Sequence, residues 1–238
     1  MLVRVCRLLP SMDRRELLRS IAHFGFGSLP LTIVVATVTG ATVVLQTSLY
    51  VERFGARQML GWAAGYAVLW EFGPLLLGLM LVARVGARNA AELAQLSVGG
   101  QLEGLAGISL DPLALLVAPR VWGVLMSVVF LALPAFVIAT LWEIAAAFFT
   151  LQIPVRVFLG TFQEMLGTGE LLGGLVKSVA FAGAIALVST LAGIRARGGA
   201  RAVGRAAASA VVYGAAAIFA LDFSLSSLLS RLAHAAAG

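Results

Sequence analysis

The chain has 238 residues, 61% of them hydrophobic and only 12% charged, with a mean hydropathy of +1.00. A soluble domain carries about 25% charged residues, so too little polar surface is present to cover a globule in water. No long polar stretch is present to build a soluble appendage. The pI near 10.7 would suit a nucleic-acid binder, but the basic residues sit in short clusters between apolar runs, as membrane proteins mark their cytoplasmic face. Cys6 is the only cysteine, which excludes an intrachain disulfide or a cysteine metal cluster. His23 and His234 fall near expected helix ends and read as solvated side chains, so no metal site is expected.

In chain order, residues 1–24 come first. They carry Arg4, Arg7, Arg14, Arg15 and Arg19 and no unbroken apolar run, so a signal peptide is not expected. Pro10 and Ser11 open a helix with Ser11 as N-cap. Leu17, Leu18, Ile21 and Phe24 recur at helical spacing with Arg14, Arg15 and Arg19 largely off that stripe. This suits a helix lying in the membrane interface; a cytoplasmic helix packed on a bundle is the alternative.

A helix needs about 20 apolar residues to cross the hydrocarbon core. Five segments qualify: 25–51, 61–83, 121–149, 171–194 and 206–230. They predict an all-α integral membrane protein, one domain over 1–238, since runs of this length far exceed a barrel strand. The Gly73-Pro74 pair predicts a kink in the second span, and Gly61-xxx-Gly65 predicts close helix packing. Residues 84–120, between the second and third spans, hold helical patterns that stop at Asp111-Pro112. This segment is either a docking surface for a motor subunit or a hairpin shielding the bundle.

Orientation follows from the arginines. If five helices alternate, residues 1–23, 84–120 and 195–205 share one side and hold twelve, the last group being Arg195, Arg197, Arg201 and Arg205. The other side holds Arg53, Arg57, Arg156 and Arg231. The bias predicts a cytoplasmic N-terminus and an outward C-terminus.

Four acidic or basic side chains fall in or at the edge of the spans: Glu71, Glu143, Lys177 and Asp222. A charge in hydrocarbon costs about 2.5–3.5 kcal/mol on insertion scales, so it faces the bundle interior or a wet cavity. Glu71 and Lys177 are expected to line such a cavity, with Lys177 as a point charge for a phosphate headgroup. The alternative is that Lys177 pairs with Glu71 or Asp222 to hold the bundle together. Asp222 is expected to be structural, and Glu143 to lie at the outer interface.

Glu71-Phe72-Gly73-Pro74-Leu75-Leu76, then Ala83-Arg84-Val85-Gly86-Ala87 and Ala91-Glu92-Leu93, resemble the signature of the MlaE/YrbE permease family, which reads ELGP, GRxG and AE. Leu110-Asp111-Pro112-Leu113 and Ala118-Pro119-Arg120-Val121-Trp122 resemble its DPL and PR-hydrophobic-W elements. Arg53-Phe54-Gly55-Ala56, Val44-Leu45-Gln46, Lys177-Ser178-Val179-Ala180-Phe181 and Leu221-Asp222-Phe223 resemble further elements in the same order. The matches span most of the chain.

The resemblance implies a homodimer with five spans and an interfacial helix per subunit. It implies a cytoplasmic ABC ATPase docked on the loop between the second and third spans, a periplasmic MCE-domain protein, and a small STAS-domain subunit. It implies phospholipid or related lipid as cargo, in the bacterial inner membrane. Glu71, Lys177, Gln46 and Trp70 then fall on the substrate pathway. Gln101, Leu102, Glu103, Leu105 and Ile108 fall on the ATPase-coupling surface, with Asp222, Arg84 and Glu92 as structural charges. The chain has no GxxxxGK[ST] phosphate loop, so ATP and Mg would be used by the partner ATPase, and no cofactor is expected in this chain.

Three departures stand out. Trp70 replaces the family's arginine before the glutamate. Val98-Gly99-Gly100-Gln101-Leu102 replaces its ATEQL-like run, with two glycines at about 1 kcal/mol each if they lie inside a helix. A basic run from Arg195 to Arg201 replaces its last cytoplasmic loop. A secondary transporter of a hydrophobic or amphipathic small molecule is the alternative function, but no convincing internal repeat supports it. An intramembrane enzyme would need a nucleophile–base set or metal ligands, and no His or Cys lies inside a span.

Overall fold

The structure, a computed structural model, describes residues 14–237. Ser11 and the rest of the first 13 residues lie outside it. Among the described residues every regular element is helical. Among the described residues five helices are long and apolar enough to cross a membrane: Leu17–Arg53, Arg57–Val98, Ala114–Leu151, Thr168–Ile194 and Ala200–Arg231. The expected architecture of five spans behind an N-terminal helix is therefore observed.

Helix α1 (Arg14–Phe24) leads through a short 3-10 turn into α2 (Leu29–Arg53). The second span is broken in register. It runs through α3 (Leu60–Tyr66), a π-helical turn at Ala67–Phe72, α4 (Gly73–Leu81), a second π turn at Val82–Gly86, and α5 (Ala87–Val98). Its 42 residues, at about 1.5 Å each, are roughly twice as long as the hydrocarbon core is thick. The kink expected at Gly73-Pro74 takes the form of the preceding π turn, where the proline's missing N–H is accommodated by a changed hydrogen-bond register.

Gly99 caps α5, and Gly100, at φ 70°, begins α6 (Gln101–Gly107). The two glycines thus separate two helices instead of weakening one, because the left-handed conformation at Gly100 suits glycine. A π turn at Leu113–Val117 enters α7 (Ala118–Leu151), which continues through Pro134. Helix α8 (Val155–Met165) starts after Pro154, and α9 (Thr168–Ile194) and α10 (Ala200–Ala237) complete the chain. Sequence reasoning passed over α8. Its signal is Val155, Phe158, Leu159 and Phe162 at the i, i+3, i+4, i+7 spacing of one helix face.

Two compact units divide the chain. One comprises the described residues up to Leu29, with Gly78–Phe130 and Val179–Phe223; the other comprises Pro30–Leu77, Leu131–Ser178 and the described residues from Ser224.

In the first unit, α1 lies on α7: a Cβ at Gly123 would strike Ser20, and the Ser127 hydroxyl donates to the Ile21 and Gly123 carbonyls. Helices α5 and α9 are clasped by polar groups. Asn89, fully buried, donates to Ser189 at 2.8 Å and to Thr190 at 3.3 Å. Without those partners its amide would be costly to bury.

In the second unit, Gly40 meets the Ala139 carbonyl and Gly61 the Phe158 carbonyl so closely that neither position has room for a Cβ. Gly65 is covered by the Phe162 ring. The Gly61-xxx-Gly65 pair is thus filled by α8 of the same chain, as small residues allow.

Candidate functional site: a charged pair among apolar spans

The second unit holds the central charged group. Glu71 sits within the π turn Ala67–Phe72, one residue after Trp70. Helix α9 approaches that turn through Gly173 and Gly174. A Cβ at the first would strike the Trp70 ring, and one at the second the Leu69 carbonyl. The approach sets Lys177, about one turn on, against the turn. Lys177 is fully buried and donates to the Glu71 carboxylate. The Ser226 hydroxyl donates to both carboxylate oxygens of Glu71 at 3.2 Å. The Lys177 ammonium also lies 5.9 Å from the centre of the Trp70 ring, within cation–π reach. Trp70 is stacked on Tyr66, ring centres 5.9 Å apart.

Trp70 has a local consequence. A second cation there would repel Lys177, whereas the ring face attracts it. The pairing is the alternative raised from sequence, and it sequesters the ammonium. Lys177 is not open to a cavity in this arrangement, and the accessible member is Glu71, whose side chain is 38% exposed. Ser226 went unnoticed because a serine in an apolar helix carries no sequence signal of its own. Gln46, grouped with these residues by resemblance, is exposed on α2 and makes no hydrogen bond to another described residue.

Glu143, expected at the outer interface, is instead fully buried in α7, and neither carboxylate oxygen has a hydrogen-bond partner among the described residues. Glu143 already lies within the expected span, and its burial follows from which face of α7 packs inward, a tertiary fact that its place near the span's outer end does not encode. Asp222, expected to be structural, is buried at 7% exposure in the first unit.

The first unit holds a second polar hub. The Glu92 carboxylate receives Arg120 at 2.7 Å, Arg88 at 3.1 Å and the His23 ring at 3.0 Å. It ties α1, α5 and the start of α7. His23, expected to be merely solvated, is engaged in this hub. Arg84 donates to the Gly27 carbonyl at 2.6 Å. In the segment expected to couple to an ATPase, Gln101, Glu103 and Ile108 are exposed, with Ile108 at 68%, while Leu102 and Leu105 are half-buried. A Cβ at Gly104 or Gly107 would meet open space. No group of three or more His, Cys, Asp or Glu side chains that could hold a metal occurs among the described residues.

Five apolar helices with buried charges between them define a multi-pass membrane protein. The family model of Permease MlaE matches residues 17–228, and the chain belongs to this family of ABC transporter permeases. It is 31% identical to a probable ABC transporter permease protein of Rickettsia typhi, over 94% of this chain and 86% of that one. A probable ABC transporter permease protein of Synechocystis is 29% identical, over 92% and 83%. The chloroplastic protein trigalactosyldiacylglycerol 1 of Arabidopsis thaliana is 27% identical, over 90% of this chain and 61% of that protein. A permease of this class is generally the non-catalytic subunit of its transporter, which implies an ATPase partner.

Proposed function

We propose that this chain is the membrane subunit through which an ATP-driven transporter moves phospholipid or a related lipid. Transfer runs between the bacterial inner membrane and a periplasmic MCE-domain protein, and a STAS-domain subunit accompanies the ATPase. The observation that carries the lipid reading is the Arabidopsis relative, which is named for a galactolipid and aligns over 90% of this chain. The chain acts as a homodimer, a single permease domain per subunit, with α1 in the interface plane and the N-terminus in the cytoplasm.

The Glu71–Lys177–Trp70 group, with Gln46 on α2, belongs to the substrate pathway. The π turn supports this, since such turns recur at functional sites. A headgroup amine can meet the exposed side of Glu71, and an anionic headgroup can draw Lys177 from its partner. Residues 84–120 couple to the ATPase, with Gln101, Leu102, Glu103, Leu105 and Ile108 at the contact. Their support is that the apolar side chain of Ile108 and the acidic one of Glu103 are both exposed in this segment. Asp222, Arg84 and Glu92 hold the helices.

Mass spectrometry of lipids retained by the complex purified from membranes tests the reading. Stoichiometric glycerophospholipid or glycolipid, depleted in Glu71→Ala, is expected. Absence of any enriched lipid, with the ATPase bound, would argue against it.

A further inference from the structure

Two basic clusters of the first unit are built differently. Around Glu92 the arginines are satisfied: Arg88 and Arg120 close on its carboxylate and Arg84 on the Gly27 carbonyl. The second cluster is Arg195, Arg197, Arg201 and Arg205, four guanidinium groups within eleven residues. No Asp or Glu occurs between residues 171 and 221. Among the described residues none of the four forms an ion pair or a side-chain hydrogen bond, and all are exposed. Four like charges at this spacing repel one another unless an anion sits between them.

The local fold gathers them. Arg195 directly follows α9, and Arg201 and Arg205, four residues apart, share one face of the first turns of α10. The chain reverses between the two helices through Gly198 and Gly199, at φ 100° and 77°, conformations that suit glycine. Arg195, Arg197 and Arg205 then line a hollow of about 300 Å³. Its base includes Ala196, Ala202 and Ala206, all buried and packed with Ala94. The hollow has a cationic rim and a fixed floor of small apolar side chains, and Ser209 adds a hydroxyl at its edge.

We infer that this hollow binds the phosphate headgroup of an anionic membrane phospholipid. Guanidinium groups match phosphate oxygens in bidentate geometry. The hollow lies where two candidate spans, Thr168–Ile194 and Ala200–Arg231, end and begin. That is headgroup depth, and Arg201 and Arg205 belong to the span itself. Clusters of four or more arginines beside a spanning helix recognise anionic lipid. A soluble acidic segment would need to reach between helix ends at the membrane surface, and a free phosphate would leave the apolar floor unused. This site is distinct from the substrate pathway proposed above, whose charges lie in the other unit, and it does not rest on that reading.

The test is native mass spectrometry of the full chain in detergent, titrated with dimyristoyl-phosphatidylglycerol or dimyristoyl-phosphatidylcholine. Two quadruple variants are compared with the parent, one with all four arginines changed to Gln and one with all four changed to Lys. The Gln variant is expected to bind phosphatidylglycerol about tenfold more weakly, with phosphatidylcholine unchanged. The Lys variant, which keeps the charge but loses the bidentate fork, should fall between the parent and the Gln variant. Millimolar inorganic phosphate should not displace the lipid. Undiminished phosphatidylglycerol binding in the Gln variant would overturn the inference. So would equal loss in the Lys variant, or displacement by inorganic phosphate.

Discussion

The Lys177 ammonium is fully buried against a Glu71 carboxylate whose side chain is 38% exposed. The two partners therefore differ in what their loss leaves behind. Glu71→Gln takes the neutralising carboxylate from a fully buried cation, whereas Lys177→Met leaves a carboxylate that still meets solvent and accepts from Ser226. Breaking a buried pair costs about 3–5 kcal/mol when the survivor is uncompensated. Glu71→Gln should approach that figure, and Lys177→Met should cost about 1–2 kcal/mol. Thermal unfolding in detergent reads the difference. Equal losses would show that the exposure of Glu71 does not relieve it.

The same pair separates support from transport. The double variant Lys177→Met/Glu71→Gln should regain most of the parent's stability, since no buried charge remains uncompensated. If the pair belongs to the lipid path, that stable double variant should still transport poorly. Full recovery of transport would leave the pair a purely structural contact.

Helix α8 seats on glycines with no room for a Cβ. Gly61→Leu should destabilise the chain by about 1–3 kcal/mol or more through overpacking against the Phe158 carbonyl. Gly104→Leu, which points a side chain into open space, should lie within about 0.5 kcal/mol of the parent, as surface changes do. If Gly104→Leu and Glu103→Lys both leave ATPase binding and ATP-driven transport intact, coupling lies outside Gln101–Ile108.

Glu143 has a fully buried carboxylate with no hydrogen-bond partner among the described residues. An unsatisfied buried polar group costs about 1–3 kcal/mol. Glu143→Met, similar in volume and apolar, should raise stability by about that amount. Lower stability would mean that the carboxylate is satisfied in the assembled transporter.

The spans were legible because each is a run of apolar residues longer than a membrane is thick, a signal that survives any packing arrangement. The charges within them were legible for the same reason, as exceptions to the run. Which charges meet was not. The pairing of Lys177 with Glu71 depends on Gly173 and Gly174 admitting α9 to the π turn, a tertiary fact that no spacing in one helix encodes. The π turns were hidden because a single-residue change of helical register leaves hydropathy unchanged. Gly99-Gly100 was visible, but as a costly interruption within a helix. Its use as a boundary depends on the left-handed backbone at Gly100. The burial of Glu143 was hidden because its place near the span's outer end does not say which face of α7 packs inward.

The most direct measurement is movement of a labelled glycerophospholipid by the permease, reconstituted in proteoliposomes with its ATPase and an MCE-domain acceptor. Transfer is predicted to require ATP hydrolysis, to persist when ion gradients are collapsed, and to fail in the stable Lys177→Met/Glu71→Gln variant. Lipid transfer that ignores ATP and follows an ion gradient would contradict the account and favour a secondary transporter.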